Sequence, residues 1–382
     1  MFLQLMLLFA VAAVTLLFAL NKNVNNGKRL CIQCVTVILT CFSGFRSWRY
    51  GDLMHYCYAY LRANTPDWQL DTKSSDTVGL QLLFRAFGQM GFGFETVLFF
   101  TAAFCAIALG VIVYRFSPSP YFSYLMYIAL GNYFFTYTGL KQSIASAFIM
   151  FAFIFIINKK PLRFLLLVLA AFLFHKPAII FLLAYPIARK KIDKFYFAML
   201  GAAAIAVVFF HEKIATWLSM LYYDTMEFTA NESVGFKQTM MIMIIVLSLV
   251  LRPVREYDTV YKCTFNIMVT AALIQSFAIY DNVFTRLSDY FFQFFVIFIP
   301  LMLETGDEQA LKFPEHKEEI RYGLQRYYPF LKVGISLFGF GYYAWWLYNS
   351  GALVNEYRFI WQDSGETSLE VLERFIENGG VL

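Results

Sequence analysis

The chain has 382 residues, 59% of them hydrophobic, 20% aromatic and only 15% charged, with a net charge of +5. That balance excludes an ordinary soluble globular protein and describes an all-α, polytopic integral membrane protein. The positive charge collects in short loops where anionic lipid accounts for it, so no nucleic-acid partner is expected.

In chain order, the first apolar run, Met1 to Leu20, has no positive residue ahead of it, whereas Lys22, Lys28 and Arg29 follow. A secretory signal needs a basic start, so this run reads as a retained first span with its N-terminus outside. After span 2–20, hydropathy and Lys/Arg placement predict spans near 30–44, 93–114, 120–137 and 142–157. Later spans fall near 195–210, 238–251, 263–280, 287–304 and 330–348. The expectation is a single transmembrane domain, 1–348, with about ten crossings and one re-entrant helical hairpin, 164–187.

The hairpin follows from its flanks. Asn158-Lys-Lys-Pro-Leu-Arg163 and Arg189-Lys-Lys-Ile-Asp-Lys194 are both basic, and short basic loops stay cytoplasmic, so the chain between them must enter and return. Each limb of about 12 residues makes roughly 18 Å of helix against a hydrocarbon core of roughly 30 Å. Neither limb spans, and Phe174-His-Lys-Pro177 marks the tip. Ionisable groups held there, His175 and Lys176, point to a working site. The alternative, one tilted span, would invert every later element and put the basic loops 188–194 and 252–262 outside.

Under the hairpin topology the long polar segments 45–92, 211–237 and 349–382 all fall on the outer side. Residues 77–90 read as an interfacial helix, and His211, Glu212 and Asp224 as solvated loop residues. The tail, 349–382, carries the capping-box pattern Thr367-Ser-Leu-Glu370. Val371, Leu372, Phe375 and Ile376 follow on one face with Gly379 as a stop, an amphipathic helix for the outer surface.

Polar clusters sit at the outer ends of the spans. Arg46 and Arg49, three apart, would share a helical face and suit a phosphate, while Asp52 would serve as a general base or bind a sugar hydroxyl. The bland reading is that all three mark the headgroup zone. Lys141, beside Gln142 and Ser143, either snorkels to lipid or joins His175 and Lys176 in stabilising a diphosphate leaving group. His175 and Lys176 otherwise cap the hairpin tip. Arg286 and Asp289 pair with each other, or Arg286 completes a phosphate-binding ring. Cys31-Ile-Gln-Cys34 lacks a second pair or a His cluster, and neither a catalytic metal motif nor a nucleotide-binding glycine motif is found. No metal or cofactor is expected.

Four of these motifs, in order, resemble the EpsG family, relatives of the Wzy polysaccharide polymerases. They are Ser43-Gly-Phe-Arg46 with Gly51-Asp52 and Tyr56, Gly139-Leu-Lys141-Gln142-Ser-Ile-Ala145, Phe174-His175-Lys-Pro-Ala178, and Thr285-Arg286-Leu-Ser-Asp-Tyr290. The resemblance covers about 30 to 305. The chain departs where the family usually has arginine for Lys141, serine for Pro177 and a fuller Gly-Thr-Asp for Gly51-Asp52. Lys141 keeps the charge without the planar fork.

The resemblance implies an enzyme joining oligosaccharide repeat units carried on undecaprenyl diphosphate, at the outer face of a bacterial cytoplasmic (inner) membrane. A GT-C-like bundle is one form it would take, and a chain-length regulator one partner. The donor carries its own energy in the diphosphate, which agrees with the lack of a nucleotide site. In that reading Arg46, Arg49, Lys141 and Arg286 hold the diphosphate of the lipid-linked donor, and Gln142 and Lys176 are further diphosphate or sugar contacts; Asp52 is the first choice for general base and His175 the second, with His175 and Lys176 otherwise steadying the leaving group. The rival classes are a transporter or flippase for lipid-linked sugars and a membrane O-acyltransferase using an intramembrane histidine.

Overall fold

The computed structural model describes residues 2–20, 26–49, 52–72, 77–220, 234–251, 257–279, 282–319, 327–349, 357–362, 367, 368, 370, 373 and 377. Asp224, Gly51, Gly379 and the tail face Val371, Leu372, Phe375 and Ile376 lie outside them. Among the described residues the fold is helical, with one isolated antiparallel bridge and no strand.

The helices are α1 (Phe2–Leu20), α2 (Gly27–Gly44), α3 (Asp52–Ala63), α4 (Val78–Gln89), α5 (Phe94–Phe116), α6 (Pro120–Ala129) and α7 (Asn132–Thr138). They continue with α8 (Leu140–Ile157), α9 (Pro161–Phe174), α10 (Ala184–Ala188), α11 (Lys194–Met220), α12 (Val234–Leu251) and α13 (Thr259–Gln275). The last are α14 (Val283–Phe292), α15 (Phe295–Met302), α16 (Gly306–Lys312) and α17 (Tyr328–Asn349). A 3₁₀ segment, Lys176–Leu183, joins α9 to α10.

Among the described residues four helices are long and apolar enough to cross a membrane: Phe2–Leu20, Phe94–Phe116, Leu140–Ile157 and Thr259–Ile279. A fifth is reached if α14 and α15, bent by 49°, make one span. The chain is therefore a helical membrane protein, but length and composition alone do not carry the expected ten or so crossings.

Two predicted spans are broken. The run 120–137 divides at Gly131, whose φ of 82° lies in the left-handed region that favours glycine. The run 287–304 divides after α14, and α15 contains Pro300. Pro300 has no amide hydrogen for the carbonyl of Val296, and the Ser123 hydroxyl of α6 donates to that carbonyl instead, at 2.6 Å. A third correction concerns 211–220, expected as outer loop: α11 runs unbroken to Met220, because this stretch holds neither proline nor glycine. Glu212 thus stands exposed on a helix.

The core packs α2 antiparallel on α5: Gly44 stands against Phe99, while Gly110 stands against Ile32 and Thr36. α8 lies between α5 and α9, with Phe104 on Phe148 and Phe148 on Phe174.

The chain does turn back at His175. Phe164, near the start of α9, meets Phe181 at 6.0 Å and Tyr185 at 5.1 Å between ring centroids. An unbroken helix would hold residues 164 and 185 roughly 30 Å apart. The basic clusters 158–163 and 188–194 consequently begin and end the hairpin at one end of the bundle. Asn266 of α13 closes the returning limb, donating to the carbonyls of Ile187, Ala188 and Lys190.

Over the hairpin tip lies a helical cap formed by α3 and α4. Arg85 of α4 donates to the carbonyls of Ala63 and Thr65, satisfying acceptors left by the end of α3. Thr77 donates to the carbonyl of Phe174 at 2.7 Å. At Gly79, the helix comes so close to the tip that a Cβ would stand 2.8 Å from the Leu173 carbonyl oxygen. The predicted interfacial helix 77–90 is α4, and it rests on protein.

Candidate functional site

Pro177 is the local cause of the tip. It has no amide hydrogen for the carbonyl of Leu173, so the α-helix cannot continue, and His175 takes an extended backbone with φ −150°. The His175 amide still donates to Ala171, and its carbonyl accepts from Ala178. The imidazole is buried, and its Nδ1 shares a 2.5 Å hydrogen bond with the hydroxyl of Tyr290 on α14.

Two cations stand on the helices around this histidine. Arg286 stands on α14 one turn before Tyr290, the partner of His175, and Lys141 begins α8, the helix packed on α9 whose end carries His175. Lys141 Nζ also stands 5.6 Å from the ring centre of Tyr56 on α3. Asp52, one helical turn before Tyr56, occupies the same side of α3 and is exposed. Motifs from residues 52–56, 141, 175 and 286–290 therefore meet at one end of the bundle.

Beside this group is a small cavity with both polar and apolar walls, with room for roughly one or two water-sized groups. Its walls include Cys105, Thr136, Gln142, Ser143, Asp289 and Gln293. Asp289 is only 7% exposed. The expectation that it pairs with Arg286 is replaced by a different partner: Lys237 of α12 reaches its Oδ1 at 2.5 Å. Lys237 escaped the sequence reading; the available signal was a lysine at the head of an apolar helix.

Arg46 and Arg49 do not share a helical face, because α2 ends at Gly44. Arg46 instead forms the bridge with Phe359 of the tail, fixed by Ser47 N donating to the Arg358 carbonyl and Ile360 N to the Phe45 carbonyl. Its guanidinium is buried and donates to the carbonyl and hydroxyl of Ser43. Ser43 in turn donates to the carbonyl of Thr136, a cavity-lining residue, which places Arg46 behind the wall. Arg49 lies over the Trp48 ring at 4.7 Å, and Lys176, unlike His175, is exposed.

The tail is bound through Glu95, at the start of α5. Glu95 accepts from Trp48 Nε1, from the Ser368 amide and from the Ser368 hydroxyl. The expected capping box is formed: Thr367 N donates to Glu370, and Glu370 N to the Thr367 hydroxyl. Among the described residues no three His, Cys, Asp or Glu side chains gather as a metal site.

Fold and site together define a helical membrane protein with a cationic, histidine-containing site built from segments far apart in sequence. The sequence model of the EpsG family matches residues 29–313, more than half of the chain, and the chain belongs to that family. Membership associates it with polymerisation in exopolysaccharide synthesis, in a glycosyltransferase-like role. No curated protein and no solved structure matches it.

Proposed function

We propose that the protein is a repeat-unit polymerase, transferring a growing oligosaccharide from undecaprenyl diphosphate to the sugar hydroxyl of an incoming lipid-linked unit. The placing of Lys141 and Arg286 on the helices that meet at the His175–Tyr290 pair carries this reading, because a diphosphate leaving group needs cations placed where its charge develops. Lys141 and Arg286 hold the diphosphate, and His175, oriented by Tyr290, steadies the leaving oxygen. Gln142 meets the sugar, Arg46 adds positive potential from behind the wall, and Arg49 and Lys176 face headgroups at the rim. A carboxylate takes the acceptor proton; the sequence points to Asp52 for this part.

The site opens on the outer side of the bacterial cytoplasmic membrane, in a chain of about ten crossings with re-entrant segment 164–187. Both basic hairpin flanks then face the cytoplasm, where positive loops belong.

The test is reconstitution in liposomes with an undecaprenyl-diphosphate-linked repeat unit. A ladder of products, weakened in Lys141→Met and Arg286→Met at donor concentrations below the wild-type KM, supports the reading. Transbilayer movement of the substrate without any new glycosidic bond would assign the protein to the transporters instead, and dependence on an acyl donor to the acyltransferases.

A further inference from the structure

We infer that Asp289 is the carboxylate that accepts the proton of the attacking sugar hydroxyl, held in place by Lys237. The inference rests on the polymerase reading above and names the base within it.

Among the described residues, Glu95, Asp52 and Asp289 lie on helices of the cap and the site, and their surroundings differ. Glu95 has both oxygens engaged, Oε1 by Trp48 and the Ser368 amide and Oε2 by the Ser368 hydroxyl. Asp52 is exposed on the cap helix. Asp289 is buried in the wall of the cavity, one residue before the tyrosine that binds His175. Its Oδ1 is held by Lys237, while its Oδ2 has no hydrogen-bond partner among the described residues.

A buried carboxylate oxygen without a donor is costly, and a fold that keeps one has no structural gain from it. The cavity that Asp289 helps to wall has room for a group about the size of a hydroxyl, and Oδ2, which is itself covered, must turn toward it to meet one. A sugar O–H entering there would donate to Oδ2 and remove the penalty. The Lys237 ammonium keeps the carboxylate oriented through its other oxygen, leaving Oδ2 for the substrate.

In the step, the acceptor O–H proton moves to Oδ2 as the hydroxyl oxygen's electron pair forms the bond to the donor's anomeric carbon. The bond from that carbon to the diphosphate oxygen breaks, and the diphosphate leaves with the electron pair, held by Lys141 and Arg286. Asp289 then passes the proton to water.

The experiment uses the full chain in liposomes, after wild type has been shown to polymerise; failure of wild type counts against the polymerase reading itself, and the variants, compared with an active wild type, test this assignment. Asp289→Asn is expected to lower kcat by roughly 10²-fold or more, as loss of a general base does, with binding of undecaprenyl diphosphate unchanged. Formate is expected to restore Asp289→Ala by about tenfold, a response that a purely structural residue would not give. Normal kcat in Asp289→Asn, or formate rescue of Asp52→Ala in place of Asp289→Ala, would overturn the assignment. If the Asp289 variants do not fold, Lys237→Met decides. A fall in kcat at unchanged KM, recovered in Lys237→Arg, supports the assignment, and an unaltered kcat overturns it.

Discussion

Nδ1 of His175 and the hydroxyl of Tyr290 meet at 2.5 Å across 115 residues of chain. The bond joins the turning point of a hairpin to a helix in the last third of the protein. Through it, a histidine placed by a proline is oriented by a residue that no local pattern connects to it.

Tyr290→Phe keeps the ring and removes the hydroxyl, leaving the buried imidazole without this partner. The expected loss of stability is about 1–3 kcal/mol, read by thermal unfolding in detergent. Polymer formation is expected to fall more than folding does, because the ring loses its orientation. A variant as active and as stable as wild type would show that the bond has no role.

Lys141 begins α8, with its ammonium 5.6 Å from the centre of the Tyr56 ring. Lys141→Met is expected to raise KM for the lipid-linked donor about tenfold, the loss of one charge-assisted phosphate contact of roughly 1.4 kcal/mol. Lys141→Arg is expected to keep or improve donor affinity through its planar fork. Equal KM in all three proteins would remove Lys141 from the donor site.

Ser123 supplies the hydrogen bond that Pro300 cannot give to the Val296 carbonyl. Ser123→Ala strands a buried acceptor and is expected to destabilise by about 1–3 kcal/mol. Adding Pro300→Ala returns an amide donor to α15, so the double variant should lose less than the sum of the two single ones. Strict additivity in unfolding measurements would disprove the exchange.

Glu95 anchors the tail through Ser368 and the cap through Trp48. Glu95→Ala removes hydrogen bonds to a charged group, each contributing about 1.5–3 kcal/mol. Proteolysis of the tail is expected to quicken while the apolar helices stay intact. An unchanged digestion pattern would mean that the contacts around Arg46 and Tyr357 hold the tail without Glu95.

The hairpin makes a topological prediction. Single cysteines at Lys160 and Lys191 should react with an impermeant reagent from the same side of the membrane, and one at Asp52 from the other. Labelling of Lys160 and Lys191 from opposite sides would make 164–187 a true span and reverse every later element.

Much of the fold was legible in the chain. The apolar runs, the turn at Phe174-His-Lys-Pro177, the helix at 77–90 and the Thr367 capping box all depend on neighbours within a few residues. Hydropathy missed the breaks at Gly131 and after Phe292, because an average over a window does not see one dihedral angle or one bend. It also ended α11 too soon, since polar residues such as His211 and Glu212 do not by themselves stop a helix.

The site divides the same way. Composition and the short motifs singled out Lys141, His175 and Arg286, because charge and polarity stand out in an apolar chain. Which charges face one another was decided only by packing: Asp289 took Lys237 and not Arg286, and Arg46 went under the tail instead of beside Arg49. Local sequence determines where a helix runs and where it must turn, since those are contests between neighbouring backbone groups. Partner choice across a hundred residues is a property of how the helices cross, and no span of the sequence contains it.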